Sequence, residues 1–539
     1  MPRHRTINAD LSGHLKNAHA AHVEGALARA EKLYREILRR HPDSFDVLHR
    51  LGILSHQQGR PAEAARYLIA ALKLNPKSAE ALSDYGFVQY MLGRIDVALV
   101  SYRTALTIEP ENDDLLVRNG VALLNLGQPN EALKSFDRVL ARYPAHVEAL
   151  GNRGNALLKL NRLDEAIVCY DAARQIEGDN GPLLTNRAHA LRRIDRLEEA
   201  LVDLRAAIAL DPNNAEAHFE FGMTQLTLGN LDNGWEAYER RWATSAFASH
   251  RRNFKSPLWT GDQSVNGRTI LLHSEQGFGD TIQFVPYAAF VRRMGATVLL
   301  EVQPELVDLM VETGCAAQVV ARGQKLIAFD FHCPLMSLPR AFRTNLTSIP
   351  ATVPYIKVSD AISANWAKRL PASKTLIGFA WAGRHTHHND VNRSIGLNRL
   401  APIFDIADVK FVSLQHDPKP EERAFLHNLR NVLDVGDELQ NFADTAALIS
   451  QLDLVISVDT AVVHLTGALA KPMIVLLPFA SDFRWLRTRD DSPWYPTARL
   501  FRQPRLGDWE SVIEQVRGYL ARVLSHPASP RMGYSRRFL

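Results

Sequence analysis

The sequence predicts an α-solenoid of helical repeats, followed by an α/β region with two parallel sheets. Three observations predict this fold class. Residues recur at a fixed interval over the first part of the chain, a strand, a glycine turn and a helix follow one another from Thr269, and apolar strands alternate with helices from there to about Val523. Because the chain has 539 residues, more than one domain is expected.

Four sets of positions recur at intervals of 34 residues or a multiple of 34. The sets hold proline, alanine, glycine or alanine, and a large aromatic or leucine side chain; Gly178 replaces the one missing proline. Their members are Pro42, Pro76, Pro110, Pro144 and Pro212; Ala30, Ala64, Ala98, Ala132, Ala166 and Ala200; Gly52, Gly86, Gly120, Gly154, Ala188 and Gly222; and Tyr34, Leu68, Tyr102, Phe136, Tyr170, Leu204 and Tyr238. Small residues let two helices pack closely, the large residue fills the remaining space, and proline ends the second helix of each pair.

This pattern resembles the tetratricopeptide repeat, whose period is 34 residues. The resemblance covers residues 11–242 in about seven copies, after an N-terminal tail at 1–10. The last copy departs from the pattern, because Gly234 stands where alanine is expected and Trp235 and Trp242 appear. We interpret this departure as a junction with the next domain.

In this family the sixth position of each repeat faces a concave surface, and here all those positions are polar. They are Lys16, Arg50, Asp84, Arg118, Asn152, Asn186 and Glu220. Our hypothesis is that Arg118, Asn152 and Asn186 line a groove for an extended polypeptide. A plainly solvated face and self-association through the repeats are the alternatives, since every solenoid needs polar surface.

Residues 243–266 lose the period and are predicted to form an ordered connector, because Phe254, Leu258 and Trp259 can dock on a core. Strands are then predicted at 269–272, 296–302, 318–320, 329–335, 376–380, 409–414, 454–458 and 473–477. Helices are predicted near 397–403, 421–429, 444–452, 461–469 and 509–523. Such alternation indicates parallel sheets with helices on both faces.

Asp280 is the candidate catalytic residue of the first α/β lobe. It follows an apolar strand and the turn glycines Gly277 and Gly279, and it begins a helix. Glycines let a ligand approach the backbone closely, and the carboxyl ends of parallel strands are where such sheets bind ligands. A helix cap is the alternative role for Asp280.

The second lobe carries a second strand end, Asp459-Thr460-Ala461, which leads directly into a helix. The N–H groups of a helix start suit an anion such as a diphosphate. His464 lies one turn later on the same side as Thr460. A packing histidine with satisfied hydrogen bonds is the alternative role for His464.

Two arginines, Arg384 and Arg393, lie in a polar loop after the strand at 376–380 and are candidates for phosphate contacts. His385, His387 and His388 do not have the carboxylate or cysteine neighbours of a metal cage, so no metal site is predicted. Asp482 and Arg484 are weaker site candidates within the aromatic-rich segment 478–496. Core packing is the expected role of the aromatic residues there.

Composition excludes several classes of function. The net charge of +4 is small for this length, so nucleic-acid binding is not expected. The three cysteines are scattered and suit a reducing cytoplasm. The N-terminal residues lack an apolar secretion signal, and no apolar run approaches the ~18 residues of a membrane span. We expect a cytoplasmic protein with no cofactor.

The segments GFGD (277–280) and SVDTAVVHLTGALAKP (457–472) resemble the heptosyltransferase-like glycosyltransferases of family 9. The resemblance implies a GT-B fold of two Rossmann-like lobes, here 267–355 on the acceptor side and 356–524 on the donor side, with a tail at 525–539. It implies that Asp280 is the general base and that Asp459, Thr460 and His464 surround the nucleotide diphosphate. Arg393 falls near the family's phosphate-contacting lysine. The first lobe is short for the family, so acceptor recognition is expected to involve the repeats.

The whole arrangement resembles bacterial proteins that join tetratricopeptide repeats to a glycosyltransferase. The resemblance implies an inverting, metal-independent transfer of a sugar from a nucleotide-diphosphate donor to an acceptor hydroxyl, with a protein bound by the repeats. A scaffold with a non-catalytic lobe pair and a glycolipid or lipopolysaccharide-core transferase are the alternatives. The O-linked N-acetylglucosamine transferase type, which also joins such repeats to a GT-B pair, fits the GFGD and DTAVVH motifs less well.

Overall fold

The structure is a computed structural model that describes residues 3–371, 374–385 and 389–525, with side chains from residue 13 onward. The chain divides into two compact units, Met1–Ala190 and Leu191–Leu539. The predicted tail at 525–539 lies outside the described residues except for Ser525.

In the described part of the N-terminal region, fourteen helices follow one another as seven pairs of the predicted repeat length. They are α1 (Arg3–Val23), α2 (Leu27–Arg40), α3 (Phe45–Gln57), α4 (Pro61–Leu74), α5 (Ala79–Met91), α6 (Ile95–Ile108), α7 (Asp113–Asn125), α8 (Pro129–Arg142), α9 (Val147–Lys159), α10 (Leu163–Glu177), α11 (Gly181–Arg193), α12 (Leu197–Leu210), α13 (Ala215–Thr227) and α14 (Leu231–Tyr238). This run of helix pairs confirms the predicted solenoid.

The repeated small residues mark the closest helix contacts of the first unit. A Cβ atom added to Gly86 would lie 2.6 Å from Cε1 of Tyr102, and one added to Gly154 would lie 2.5 Å from Cε1 of Tyr170. The alanines of the period, such as Ala98, are fully buried. The second to fifth pairs therefore close through a glycine on the first helix and a large side chain on the second, as the period predicts.

The connector, residues 243–266, belongs to the second unit. Trp259 is buried, and its Nε1 donates to the Gln263 carbonyl at 3.0 Å. The Phe254 ring lies 4.8 Å from the ring of His332, and Arg252 donates to the fully buried Glu301. The connector thus lies against the first α/β lobe.

The first lobe has a four-stranded parallel sheet in the order β3-β2-β1-β4. Its elements are β1 (Thr269–His273), α15 (Phe278–Phe284), α16 (Pro286–Arg293), β2 (Thr297–Val302), α17 (Val307–Thr313), β3 (Gln318–Ala321), β4 (Phe331–Pro334) and α18 (Leu338–Ala341). All four predicted strands are present within a few residues of their expected bounds.

The second lobe has a six-stranded parallel sheet in the order β10-β9-β8-β5-β6-β7. Its elements are α19 (Asp360–Ala367), β5 (Thr375–Ala380), α20 (Asp390–Arg393), α21 (Ala401–Phe404), β6 (Val409–Ser413), α22 (Pro420–His427), β7 (Val432–Asp434), α23 (Phe442–Ser450), β8 (Leu454–Val458), α24 (Ala461–Ala468), β9 (Met473–Leu477), β10 (Ala498–Arg502) and α25 (Trp509–Ser525). The edge strands β7 and β10 were not predicted, and the helix predicted at 397–403 is a 3-10 turn followed by α21. Two such parallel-sheet lobes are the arrangement expected of a GT-B fold.

The largest apolar cluster of the second unit joins the last repeat to both α/β lobes. It includes Trp235 of α14, Leu272 of β1, Leu477 of β9 and Phe483. The last repeat therefore shares its core with both α/β lobes, which agrees with the junction inferred from Trp235.

Candidate functional site

Asp280 lies in the first turn of α15, at the carboxyl end of β1. Gly277 is the N-cap, and Oδ2 of Asp280 accepts its backbone N–H at 2.7 Å, so the carboxylate satisfies a free N–H group at the start of α15. Its Oδ1 accepts a hydrogen bond from Nη2 of Arg484, and the side chain is 19% exposed. Burial raises the pKa of Asp280, and the Arg484 guanidinium opposes that rise. The cap and the candidate catalytic position are therefore the same residue.

Arg484 joins the two lobes at this point. It lies in the 3-10 turn Phe483–Trp485, beyond the end of β9, and it is buried. Its Nε donates to Oε1 of Gln283 in α15 at 2.5 Å, and its Nη1 donates to Oδ1 of Asp482 at 2.7 Å. Carboxylates from both lobes thus share one guanidinium, which is the geometry that arginine satisfies best.

Asp459 and Thr460 stand where β8 ends and α24 begins. Oγ1 of Thr460 caps α24 by accepting the N–H of Val462 at 3.3 Å, while the N–H of Ala461 lies in the first turn, where a helix offers no backbone acceptor. Burial and the neighbouring Asp482 carboxylate raise the pKa of Asp459 to about 6, against the effect of Arg484 and Arg393. This strand end combines an anion-accepting helix start with a carboxylate that holds its proton more tightly than usual.

His464 is buried on α24 and fully engaged in contacts. Its Nδ1 lies 2.9 Å from the hydroxyl of Tyr495, and its ring stacks on Trp485 with centroids 5.8 Å apart. A Cβ atom added to Gly279 would lie 2.5 Å from Cδ2 of His464. Burial lowers the pKa of His464 to about 3, so the ring is neutral at pH 7. Gly279 thus admits a histidine ring rather than a ligand, and the packing role left open for His464 is the one its contacts support.

The two predicted phosphate-contacting arginines occupy different surroundings. Nη1 of Arg393, at the end of α20, donates to the Asp459 carbonyl at 3.1 Å, which places it beside the start of α24. Arg384 is exposed, and its Cζ lies 5.3 Å from the centre of the Phe278 ring in α15. The structure thus brings Arg393 to Asp459 and Arg384 to the first turn of α15. His387 and His388 lie outside the described residues.

The predicted polypeptide groove of the first unit is a pocket of about 580 Å³ lined by α9, α10 and α11. Oδ1 of Asn155 accepts from the hydroxyl of Tyr170 at 2.8 Å and from Nδ2 of Asn186 at 2.9 Å. Asn152 also lines this pocket, whereas Arg118 does not and instead lies with its Cζ 4.8 Å from the centre of the Phe87 ring. The structure therefore groups two of the three predicted groove residues.

Sequence reasoning gave too little weight to Arg484 and Asp482 and missed Gln283 and Tyr495. Arg484 and Asp482 lie about 200 residues from α15 along the chain, and no recurring pattern marks these two residues, Gln283 or Tyr495. The one available signal was the conjunction of an arginine and an aspartate with aromatic residues directly after a buried strand. Only the approach of α15 to the segment after β9 reveals their part in the site.

Three ligand-type side chains of the described residues come together outside the lobes, namely His49, Glu80 and Asp84, with the candidate ligand atoms within 4.8 Å of one another. Nε2 of His49 already lies 2.8 Å from Oδ2 of Asp84.

The described part of the chain contains no helix that is both long and apolar enough to cross a membrane.

Family models match both the repeat region and part of the second α/β lobe. Residues 21–83, 55–100, 117–182 and 188–229 match tetratricopeptide repeat models. Residues 435–502 match the model of glycosyltransferase family 9 (heptosyltransferase). The chain carries tetratricopeptide repeats and a glycosyltransferase family 9 domain. The segment matched in the family 9 domain contains Asp459, His464 and Arg484, whereas Asp280 and Arg393 lie outside it.

Individual proteins resemble parts of the chain. Protein FlbA of Caulobacter vibrioides is 26% identical over 321 residues, which cover 54% of this chain and 52% of FlbA. The chain thus spans about half the length of this curated relative. A tetratricopeptide repeat protein from Parabacteroides merdae ATCC 43184 covers 44% of this chain and 93% of its own, at 19% identity and a TM-score of 0.39. MamA covers 31% of this chain and 91% of its own, at 20% identity and a TM-score of 0.29.

Proposed function

We propose that the protein is an inverting glycosyltransferase that moves a sugar from a nucleotide-diphosphate donor to an acceptor hydroxyl. One observation carries the proposal: Asp280 of the first lobe binds Arg484 of the second, and α15 meets α24 at Gly279 and His464, so Asp280 and the Asp459–Ala461 strand end lie together at the carboxyl ends of two parallel sheets. This is where α/β folds bind ligands. The family 9 match of residues 435–502 supports a nucleotide-sugar donor on the second lobe.

In the proposed reaction, the acceptor oxygen attacks the anomeric carbon, and the carboxylate of Asp280 takes the hydroxyl proton. The bond between that carbon and the β-phosphate oxygen breaks, and its electron pair leaves with the diphosphate. Attack from the side opposite the leaving group inverts the anomeric centre. Arg484 and the N–H of Gly277 keep Asp280 oriented, because each binds one of its two carboxylate oxygens.

The leaving diphosphate gains charge as the bond breaks. The N–H groups at the start of α24 and the guanidinium of Arg393 lie together beside Asp459 and would stabilise that charge without reorganising. Arg384 is exposed beside α15 and would add a further cation. These groups supply the positive field, so the proposed reaction requires no divalent cation and should continue in EDTA.

The decisive experiment replaces Asp280 with Asn and measures donor binding and sugar transfer separately. Loss of the base should reduce transfer by about 100-fold or more, while the affinity for the nucleoside diphosphate stays the same. Asp262→Asn is the matched control, since Asp262 is a 72%-exposed aspartate of the connector. Full transfer activity in Asp280→Asn would remove Asp280 from the role of base.

Donor binding can be tested before any acceptor is known, by measuring thermal unfolding with a panel of nucleoside diphosphates and their sugars. A ligand at 100 times its dissociation constant stabilises the unit that binds it by about 2.7 kcal/mol. A shift for one base would identify half of the donor. The absence of a shift with every nucleotide would favour a scaffold with a non-catalytic lobe pair.

We further propose that the repeats bind a protein acceptor or partner in the pocket of Asn152, Asn155 and Asn186. Amide side chains there can donate to and accept from the main chain of an extended polypeptide. Replacing Asn152 and Asn186 together with Ala should remove co-purifying proteins, whereas Lys134→Ala on the exposed surface of α8 should retain them. Unchanged partners in the double variant would contradict the groove. Mass shifts on retained proteins would distinguish a protein acceptor from a glycolipid.

A further inference from the structure

The segment from Asp482 to Arg487, which follows β9 in the chain, contacts both the candidate site and the last two repeats. We call this segment the 482–487 turn. On the site side, Arg484 binds Asp280 and Gln283 of α15. Trp485 stacks on His464 of α24. The 482–487 turn therefore contacts α15 of the first lobe and α24 of the second lobe.

On the repeat side, Arg487 makes three hydrogen bonds to the loop between α11 and α12 and the start of α12. Its Nε and Nη2 donate to Oδ2 and the carbonyl of Asp195 at 2.8 and 3.0 Å, and its Nη1 donates to Oε1 of Glu198 at 2.8 Å. A guanidinium that binds one partner at two points fixes an orientation as well as a distance. The sixth repeat thus holds one end of the turn.

The seventh repeat holds the middle of the turn through aromatic contacts. The Phe483 ring lies 5.5 Å from that of Trp235 and 6.5 Å from that of Tyr238, both on α14. The hydroxyl of Tyr238 also accepts from Nε2 of Gln276, the residue before the N-cap of α15, at 2.7 Å. Both sides of the Asp280–Arg484 contact are therefore supported by the same repeat.

The backbone of the turn is strained at Leu486, where φ is 53° and ψ is −170°. This region is populated almost only by glycine, so a leucine persists there only where the surroundings impose it. The half-buried Arg502 donates to the Trp485 carbonyl at 2.5 Å, and Oγ of Ser481 donates to the Leu486 carbonyl at 3.3 Å. Contacts before and after Leu486 hold the strained conformation that points Arg484 at Asp280.

We propose that Arg487 is a positioning residue for sugar transfer, which holds Arg484 against Asp280 by fixing the 482–487 turn to the sixth repeat. The last two repeats then set the geometry of the site instead of serving only as a binding surface. This inference rests on the proposed function for its catalytic consequence, but the structural coupling can be measured independently.

The first test measures transfer kinetics of Arg487→Ala against Arg489→Ala. Arg489 is the matched control, because it lies two residues further on and pairs with Asp491 at 2.6 Å instead of with a repeat. Misplacement of Asp280 by a fraction of an ångström should lower kcat by about tenfold or more in Arg487→Ala and leave the donor KM within about twofold. Equal kcat in the two variants would overturn the positioning role.

The pH profile separates positioning from simple loss of stability. Arg484 lowers the pKa of Asp280, so a loosened Arg484 lets that pKa rise. Because Asp280 acts in its ionised form, the acid limb of kcat/KM should move to higher pH in Arg487→Ala and stay in place in Arg489→Ala. Asp195→Ala should move the limb in the same direction. A limb that stays at the wild-type position in Arg487→Ala would contradict the inference.

Hydrogen exchange provides a readout that needs no activity. In the folded protein, the amides of α15 should exchange faster in Arg487→Ala than in wild type, whereas Arg489→Ala should leave them unchanged. Unchanged exchange in α15 would refute the coupling even in an active enzyme. Faster exchange in a chain that binds no nucleotide would support the coupling and refute the proposed function.

Discussion

The repeats of the first unit and the seventh repeat in the second unit close in different ways. In the fourth repeat, a Cβ atom added to Gly120 would meet the ring of Phe136, at 2.5 Å from Cε1. In the seventh repeat, a Cβ added to Gly222 would meet backbone, at 2.7 Å from the nitrogen of Tyr238. A side chain fills the space in the regular repeat, whereas the helices themselves approach in the last one. The aromatic side chains of α14 are thereby available to the α/β core.

The ion pairs of the two regions also differ, in how far their side chains are exposed to solvent. In the first unit, ion pairs such as Arg162–Glu165 have side chains that are about half exposed, at 46% and 51%. Just after α14, Arg241 is fully buried and binds Glu275 at 3.0 and 3.1 Å and Glu239 at 2.7 Å. The Arg162–Glu165 pair therefore lies at the surface, whereas the Arg241–Glu275 pair of the junction is buried, and buried charges depend on every partner.

The largest effect expected from this contrast is that of Arg241→Met. The substitution leaves the buried Glu275 without its cation, so unfolding of the second unit should become about 3–5 kcal/mol easier. Denaturant unfolding followed by tryptophan fluorescence measures this. The double variant Arg241→Met/Glu275→Gln should recover most of the loss, and a double variant as unstable as the single one would show that the charge is not the cause.

A second prediction concerns acid stability. The pKa of His464 is lowered to about 3 in the folded protein, whereas an unfolded histidine titrates near ~6.5. The unfolded chain therefore binds one more proton between these values, and His464 costs about 1.4 kcal/mol per pH unit as the pH falls below about 6.5. Asp459, whose pKa is raised to about 6, has the opposite effect on stability, but it is present in both proteins compared.

His464→Gln should therefore unfold with a shallower dependence on pH than wild type between about pH 6.5 and 4.5. The readout is the slope of the free energy of unfolding against pH. The absolute free energy is not used, because losing the hydrogen bond to Tyr495 lowers it at every pH. His250→Gln, at an exposed histidine of the connector, is the matched control. Identical slopes for His464→Gln and wild type would refute the neutral, buried state.

The third prediction compares two glycines directly. Gly222→Ala should destabilise the second unit by about 2 kcal/mol, because backbone must move to admit the methyl group. Gly120→Ala should cost about 1 kcal/mol or less in the first unit, since the Phe136 ring can shift and alanine favours the helix. Chemical denaturation of both variants measures the difference. A larger cost at Gly120 would reverse the proposed contrast in packing.

The smallest effect is expected for Arg340→Ala. Arg340 of α18 binds Glu236 of α14 at 2.5 and 3.0 Å, but the two side chains are 33% and 67% exposed. Solvent screens such a pair, so its loss should change stability by less than about 1 kcal/mol. A loss of stability as large as that of Arg241→Met would mean that solvent exposure does not determine how much each ion pair of the junction contributes to stability.

Much of the fold followed from patterns with short range along the chain. The 34-residue period located the helix pairs, and apolar runs located β8 and β9 at their observed bounds. The edge strands β7 and β10 escaped prediction because β7 has only three residues and β10 includes two arginines. The period also predicted the groove pair Asn152 and Asn186, but it grouped Arg118 with them, because equal spacing does not fix which side chains share a pocket.

The sequence by itself determined the solenoid, the two parallel sheets and the placement of Asp280 and Asp459 at strand ends, because local periodicity, caps and turn glycines encode these features. Only the tertiary structure decided that Gly279 faces His464, that Arg484 binds Asp280, and that Arg487 reaches Asp195. These pairs lie about 200 or 300 residues apart along the chain. Their contacts depend on how whole elements pack, and no local pattern carries that information.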